Sequence, residues 1–261
     1  MRPVAIVQAR MGSTRLPGKA LLPLGDQPIV YRVVERLRHV EALADVVVAT
    51  GDLPENDPIR AFCASESISC FSGSDDDVLD RYYQAAVKFG ADPVLRVSSD
   101  CPLVDPLIVT RALDMFVTHR DDIVYLGFDK SFPEGLDVEV IAFEALAKAW
   151  RESHLKSDRE HVTPYIWRQP DLFPQDVIRN GTAVSPEHWS VDREQDYEFV
   201  GAIHRALYRP GATFHMADVL ALLNEHPELR LVNSGAVRQE GYLKSLREDH
   251  LTETATKGPD A

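Results

Sequence analysis

The chain has 261 residues, 44% of them hydrophobic, and a formal net charge of −13. That length and apolar content suit one large α/β domain with a substantial core and exclude general disorder. The acidic balance argues against non-specific nucleic-acid binding and a polybasic membrane patch, and the spacing of Cys63, Cys70 and Cys101 is not metal-like, so reduced thiols in a cytoplasm are expected.

Met1-Arg2-Pro3 leads directly into Val4-Ala5-Ile6-Val7, an apolar run that reads as a buried first strand rather than a leader. The loop that leaves it is Ala9-Arg10-Met11-Gly12-Ser13-Thr14-Arg15-Leu16-Pro17-Gly18-Lys19. It holds three cations, two glycines and two hydroxyls, and no acid. Backbone that can bend sharply, free N–H groups and cations at the carboxyl end of a strand suit a polyphosphate, so the loop reads as a nucleotide triphosphate cradle. It is not a P-loop. Five residues separate Gly12 from Gly18, Ala20 follows Lys19, and Pro23 and Gly25 stand where a P-loop continues into its long helix. With no hydroxyl after Lys19 to hold a metal, any Mg²⁺ needs acids from elsewhere.

Ile29, Val30, Val33, Val34 and Leu37 recur at helical spacing after Pro28, and Val46-Val47-Val48-Ala49 reads as a second buried strand ending at Thr50. This strand–helix–strand unit predicts an open parallel sheet, with ligands beyond the carboxyl ends of its strands. A short helix from Ile59, a strand at Ile68–Phe71 and a helix from Val78 to Phe89 follow. The acidic run Asp75-Asp76-Asp77 reads as helix capping. Val94–Val97 is the next strand and runs into Ser98-Ser99-Asp100, which makes Asp100 the first metal candidate, while Asp105 before Pro106 reads as a turn-forming residue.

A helix from Leu107, a strand at Ile123–Leu126 and an alternating strand over Leu136–Ile141 come next. Trp189-Ser190-Val191-Asp192 reads as a last strand ending in a second metal candidate, Asp192, with Asp196 at the head of a helix to Leu207. His161 sits in a polar cluster as a possible base, though a lone histidine is more often a hydrogen-bonded structural residue. From about Asp249 the chain lacks apolar periodicity and a frayed tail is expected. No apolar run approaches the roughly 18 residues of a membrane span.

Several strings together resemble the cytidylyltransferases that make CMP-activated acidic sugars, closest to the spore-coat-polysaccharide type. They are Val7–Lys19, Ser72–Ala86, Asp100–Pro106, Gly135–Val140, Arg159–Tyr165 and Val191–Glu198, in order over most of residues 1–200. The resemblance implies a Rossmann-like mixed sheet of the glycosyltransferase-A or nucleotide-diphospho-sugar transferase type, three-layer α/β/α. It implies a single domain over 1–248, with a dimerisation and acceptor subregion near 127–190 and a flexible tail at 249–261. The implied activity moves CMP from CTP to a hydroxyl of an acidic sugar with Mg²⁺, releasing pyrophosphate, usually in a homodimer.

Carried over by position, Ala9, Arg10, Gly12, Ser13, Arg15, Lys19, Thr50, Ser74, Arg81 and Ser98 would bind the nucleotide. Arg10, Lys19, Asp100 and Asp192 would be catalytic, with Asp100 and Asp192 on the metal. Glu134, Asp137, Glu139, Glu160 and His161 would face the acceptor or the dimer partner. Ser98-Ser99-Asp100 departs from the family's usual Thr-Gly-Asp or Gln-Gly-Asp, and Ser190-Val191-Asp192 departs mildly from Thr-Val-Asp. Two alternatives stay open: a nucleotidylyltransferase using another triphosphate or a non-sugar acceptor such as a phosphonate or polyol phosphate, and a non-catalytic nucleotide-binding module.

Overall fold

The computed structural model describes residues 1–181, 187–235 and 238–256, the last seven by backbone alone. In chain order the elements are β1 (Val4–Ala9), β2 (Pro23–Leu24), β3 (Gln27–Pro28), α1 (Ile29–Leu37), β4 (Asp45–Gly51), α2 (Asp57–Ser65), β5 (Ser69–Gly73), α3 (Val78–Phe89), β6 (Val94–Ser98), α4 (Pro106–Thr118), β7 (Tyr125–Phe128), β8 (Glu139–Ile141), α5 (Phe143–Glu152), α6 (Lys156–His161), α7 (Pro164–Trp167), β9 (Gln175–Ile178), α8 (Glu194–Leu207), α9 (Met216–Glu225) and α10 (Glu240–Thr256). Seven strands form one sheet in the order β5-β4-β1-β6-β8-β7-β9. Only β8 runs antiparallel to its neighbours; the other pairings are parallel. This is a mixed, mostly parallel α/β sheet, as the resemblance implies.

The central strands are mostly apolar, with polar residues chiefly toward their carboxyl ends, because both faces of the sheet are covered. Val4 to Val7, Val47 to Ala49, and Val94 and Leu95 are fully buried. Helix α1 packs on β1 and against α4, while α3 packs across β1, β4 and β5 and meets α5 and α6. Tyr82 of α3 places its hydroxyl 3.1 Å from the Ile6 carbonyl and 3.0 Å from that of Val97, bracing β1 to β6 from the helix side.

The order of the strands fixes where a ligand can sit. From β1 the chain steps outward through β4 to β5, then returns to lay β6 on the other side of β1. The crevice between the carboxyl ends of β1 and β6 is therefore the topological switch point, where open α/β sheets bind ligands. The cradle leaves β1 there, and Asp100 follows β6 there.

Several expectations change. Residues 189–192 are not a strand. Trp189 N–H donates to the Glu134 carbonyl (2.7 Å) and Val191 N–H to the Asp100 carbonyl (2.7 Å), so the segment is shared between two partners and builds no continuous ladder. The strand expected over 136–141 is ordered as β only from Glu139, where pairing with β6 and β7 begins. In the polar cluster around His161, α6 ends at Val162, whose φ is +73°, and α7 starts at Pro164. The residues from Asp249, expected to fray, continue α10 to Thr256, while 257–261 lie outside the described residues. Within the 127–190 subregion, 182–186 also lie outside them. The acidic run does cap a helix: Asp77 accepts from the Asp80 N–H at 2.8 Å.

Candidate functional site

The cradle is shaped first by its own backbone. Gly18, at φ +69°, turns the chain into the short 3-10 turn Lys19–Leu21, and its N–H donates to the Met11 carbonyl at 3.0 Å. The loop is anchored from below by a residue that sequence reasoning passed over. Buried Asn56 accepts from the Met11 N–H (2.9 Å) and donates to Asp75 (2.9 Å), which in turn accepts from the Leu53 N–H (3.0 Å). Gly51 leaves room for this: a Cβ there would lie 2.0 Å from an Asp75 carboxylate oxygen.

At the switch point Lys19 joins the two distant acids. Its Nζ donates to Asp100 Oδ2 (2.6 Å), Asp192 Oδ1 (2.9 Å) and the Val191 carbonyl (2.8 Å). Burial opposes the ammonium charge, but Asp100 and Asp192 outweigh it and hold the Lys19 pKa above its ordinary value. Burial likewise works against ionised Asp100, yet Lys19 and the Ser98 hydroxyl hold its carboxyl down to about 2. Asp100 is thus anionic beside the Lys19 ammonium near neutral pH. Arg15 reaches Asp192 at 2.5 Å.

Asp192 is held from behind by a second buried network, which the sequence did not announce. His188 Nδ1 lies 2.9 Å from Glu134, and its Nε2 lies 3.6 Å from Asp196 and 3.7 Å from Asp192. Its side chain is only 9% exposed; burial opposes its charge, but hydrogen bonding to Asp196 and Glu134 raises its pKa to about 10. Asp196 accepts from the N–H groups of Asp192 (3.1 Å) and Arg193 (2.8 Å), which pins the residue after the turn.

The other nucleotide candidates line adjacent positions. Ala9 and Thr50 are register partners on β1 and β4. Gly12 and Ser13 lie in the cradle, where Ser13 Oγ accepts from the Leu16 N–H at 3.3 Å. Buried Thr50 Oγ1, Arg81 Nε and Gln8 Oε1 have no hydrogen-bond partner, so the rim carries polar atoms that the protein itself does not satisfy. Arg81 also donates to the Ser74 carbonyl (2.5 Å). Arg10 is exposed and, among the described residues, has no hydrogen-bond or ion-pair partner.

The five acceptor candidates do not form one cluster. Glu134 belongs to the His188 network, and Asp137 is bidentate with Arg238 at 2.9 and 3.0 Å. Glu139 is committed to Arg96 (2.5 Å), Thr163 (2.7 Å) and the Tyr125 hydroxyl. Glu160 and His161 share the Ser245 hydroxyl of α10 at 2.9 and 3.0 Å. Burial and then Arg96 push the His161 pKa down to about 4, so it is neutral near pH 7.

Two hard carboxylates beside a phosphate-suited loop fit a small divalent cation such as Mg²⁺. Among the described residues no group of three or more His, Cys, Asp or Glu could hold a metal by itself, so phosphate oxygens and water would complete the shell.

A cytidylyltransferase family model matches residues 4–202. The spore coat polysaccharide biosynthesis protein SpsF of Bacillus subtilis is 30% identical over 236 residues, covering 85% of this chain and 94% of that one. The 3-deoxy-manno-octulosonate cytidylyltransferase of Geobacter metallireducens is 33% identical over 131 residues, half of each chain. A solved cytidylyltransferase from Leptospira borgpetersenii superposes with a TM-score of 0.85 at 29% identity, covering 91% of this chain and all of that one. No described helix is long and apolar enough to cross a membrane.

Proposed function

The chain belongs to the cytidylyltransferase family, and from that premise we propose that it transfers CMP from CTP to a hydroxyl of an acidic sugar, releasing pyrophosphate, for surface polysaccharide synthesis. The observation that carries this reading is the meeting of Lys19 with Asp100 and Asp192, 81 and 173 residues away in sequence, at the mouth of the cradle. An acidic acceptor is favoured by the similarity to 3-deoxy-manno-octulosonate enzymes over half of the chain.

The α-phosphorus of a triphosphate is shielded by negative oxygens, and charge builds on the pyrophosphate as it leaves. Arg10, Arg15 and Lys19 neutralise that charge in place, before the reaction begins. Asp100 and Asp192 would hold Mg²⁺, which supplies further charge neutralisation at the phosphates when bound. Thr50, Ser74, Arg81 and Ser98 orient the cytidine, and Asp192 takes the proton from the attacking sugar hydroxyl. Asp196, through the Asp192 N–H, and His188, 3.7 Å from the carboxylate, keep Asp192 aimed. Positioning and electrostatics provide the catalysis, with no covalent protein intermediate.

The test is pyrophosphate release from CTP and Mg²⁺ with a panel of acidic sugars. Release with at least one of them is expected, and Asp192→Asn is expected to lower turnover by about two orders of magnitude or more with little change in Tm. Near-normal turnover in that variant would remove Asp192 from the chemistry, and no release with any acidic sugar would remove the activity.

A further inference from the structure

The C-terminal helix α10 lies beyond the family model, which ends at residue 202, yet it reaches the cradle. Glu240, its first residue, accepts three charge-assisted hydrogen bonds from two arginines. Arg15 Nη1 donates to Oε2 at 2.7 Å, and Arg193 Nη2 donates to Oε1 and Oε2 at 2.8 and 2.9 Å. The other Nη of Arg15 is on Asp192, which shares Lys19 with Asp100. A carboxylate of the protein thus stands where two cations converge, one side chain away from the centre. We propose that Arg193 and Arg15 form an anion clamp for the pyrophosphoryl end of the nucleotide, and that Glu240 holds this clamp until the nucleotide displaces it. The proposal deepens the reading of the cradle as a triphosphate site and rests on it.

Three observations support an exchangeable occupant. The side chains of Arg15, Arg193 and Glu240 are 34%, 46% and 39% exposed, so a ligand reaches the clamp without opening the core. A pyrophosphoryl group brings more charge and more acceptor oxygens than one carboxylate, and arginine forks suit it. The helix behind Glu240 is docked largely through polar groups. Within 240–249 the buried residues are Ser245 and Asp249, while Leu243 is 43% exposed. Its polar ties are Gln239 N–H to Glu134 (2.8 Å), Ser245 to Glu160 (2.9 Å), Ser157 N–H to Asp249 (3.3 Å) and the exposed pair Lys156–Glu248 (2.7 Å), beside the edge-on ring contacts of Tyr242 with His161 and Trp167. Within 240–249 no apolar side chain is buried, and Tyr242 supplies the aromatic contact there. Release of Glu240 would also loosen contacts to Glu134 and Glu160, both candidates for the acceptor side, so nucleotide arrival would open the path for the acceptor.

The probe is sodium pyrophosphate, titrated calorimetrically into the full chain, with hydrogen exchange at 240–249 followed in parallel. Glu240→Gln and Glu240→Ala are expected to bind pyrophosphate about fivefold more tightly than wild type, the scale of one exposed ion pair removed as competitor. Arg193→Gln is expected to weaken binding by about the same factor, and Arg193→Gln with Glu240→Ala to show no gain. Pyrophosphate should speed exchange at 240–249 in the wild type. Unchanged or weaker binding by both Glu240 variants, or unchanged exchange at 240–249, overturns the proposal. Faster exchange with glucuronate but not with pyrophosphate assigns the clamp to a sugar carboxylate and overturns it too. CTP-dependent turnover is scored separately: turnover without pyrophosphate-driven exchange refutes the clamp alone, while clamp behaviour without turnover refutes the transferase reading alone.

Discussion

A single ammonium, Lys19 Nζ, holds together three oxygens from two distant parts of the chain. Its removal leaves two carboxylates without the cation they share, with Arg15 and, at 3.7 Å, His188 on Asp192 alone. Lys19→Met is therefore expected to lower turnover by about two to three orders of magnitude, since it deletes a fixed cation where charge develops. Asp100 gives a second readout. Its folded pKa, held to about 2 by Lys19 against the effect of burial, lies below its unfolded value. The stability it contributes is present above the unfolded carboxylate pKa and is lost as pH falls toward 2. In Lys19→Met, carboxyl NMR should find Asp100 titrating well above 2, and that part of the acid-stability slope should disappear. Lys19→Arg keeps the charge but presents a planar fork where one point donor meets three acceptors, so only partial recovery of turnover is expected. If Arg restored full activity, charge alone rather than the three-way geometry would be what the position requires.

At the scale of elements, the loop that carries Asp192 is set by the turn that precedes β8. Gly135 has φ +104°, and a Cβ there would lie 2.6 Å from the Ser190 amide nitrogen and 2.7 Å from the Trp189 carbonyl carbon. Both obstacles are backbone, so neither can swing aside. The same turn exchanges hydrogen bonds with the loop, Glu134 N–H to the Glu187 carbonyl and Trp189 N–H to the Glu134 carbonyl. Gly135→Ala should cost roughly 2 kcal/mol or more, combining a strained φ with a steric push. It should also lower turnover beyond what its stability loss explains, because the displaced loop carries Asp192; denaturant unfolding and kcat measured together test this. The spacing Gly135-Leu136-Asp137 carries this constraint, but its reason becomes visible only when the second segment is in place. The same holds elsewhere. The apolar runs of β1 and β4 are legible because burial on both faces leaves continuous Val, Ile and Ala, and β6 keeps the pattern with Arg96 its one interruption between Val94 and Val97. Strand β9, Gln175-Asp176-Val177-Ile178, is an edge strand with only its last residue buried, and no run marks it. Helix α10, over its described side chains, is held by polar contacts and the Tyr242 ring rather than a buried apolar stripe, so periodicity does not reveal it. Lys19, Asp100 and Asp192 were readable as residue types, whereas Asn56, His188, Arg193 and Glu240 gain their roles only from contacts made across the fold.

For the molecule as a whole, two buried histidines pull stability in opposite directions with pH. His204, on α8, is 6% exposed, its Nε2 has no hydrogen-bond partner, and it stacks on Tyr208 with ring centroids 4.5 Å apart. Burial, with Arg32 next, depresses its pKa to about 4. Between the ordinary histidine value near 6.5 and 4 the unfolded chain takes up a proton that the folded protein refuses, so stability falls as pH falls through that window. At pH 5 the expected loss from this one group is about 2 kcal/mol relative to pH 7. His188 has the opposite sign. Despite burial, its pKa is raised to about 10 by Asp196 and Glu134, so its contribution is full below about 6.5 and is lost as pH rises toward 10. Together they place a maximum in stability near neutrality, independent of the −13 net charge. Urea unfolding at pH 5, 7 and 9 checks this. His204→Gln should make the acid limb between pH 7 and 5 shallower, leaving the share of His161, which is also held near 4, and leave the alkaline limb unchanged. A variant that kept the wild-type acid slope would show that His204 is protonated in the folded protein, with a counter-ion reaching it between Arg32 and Tyr208.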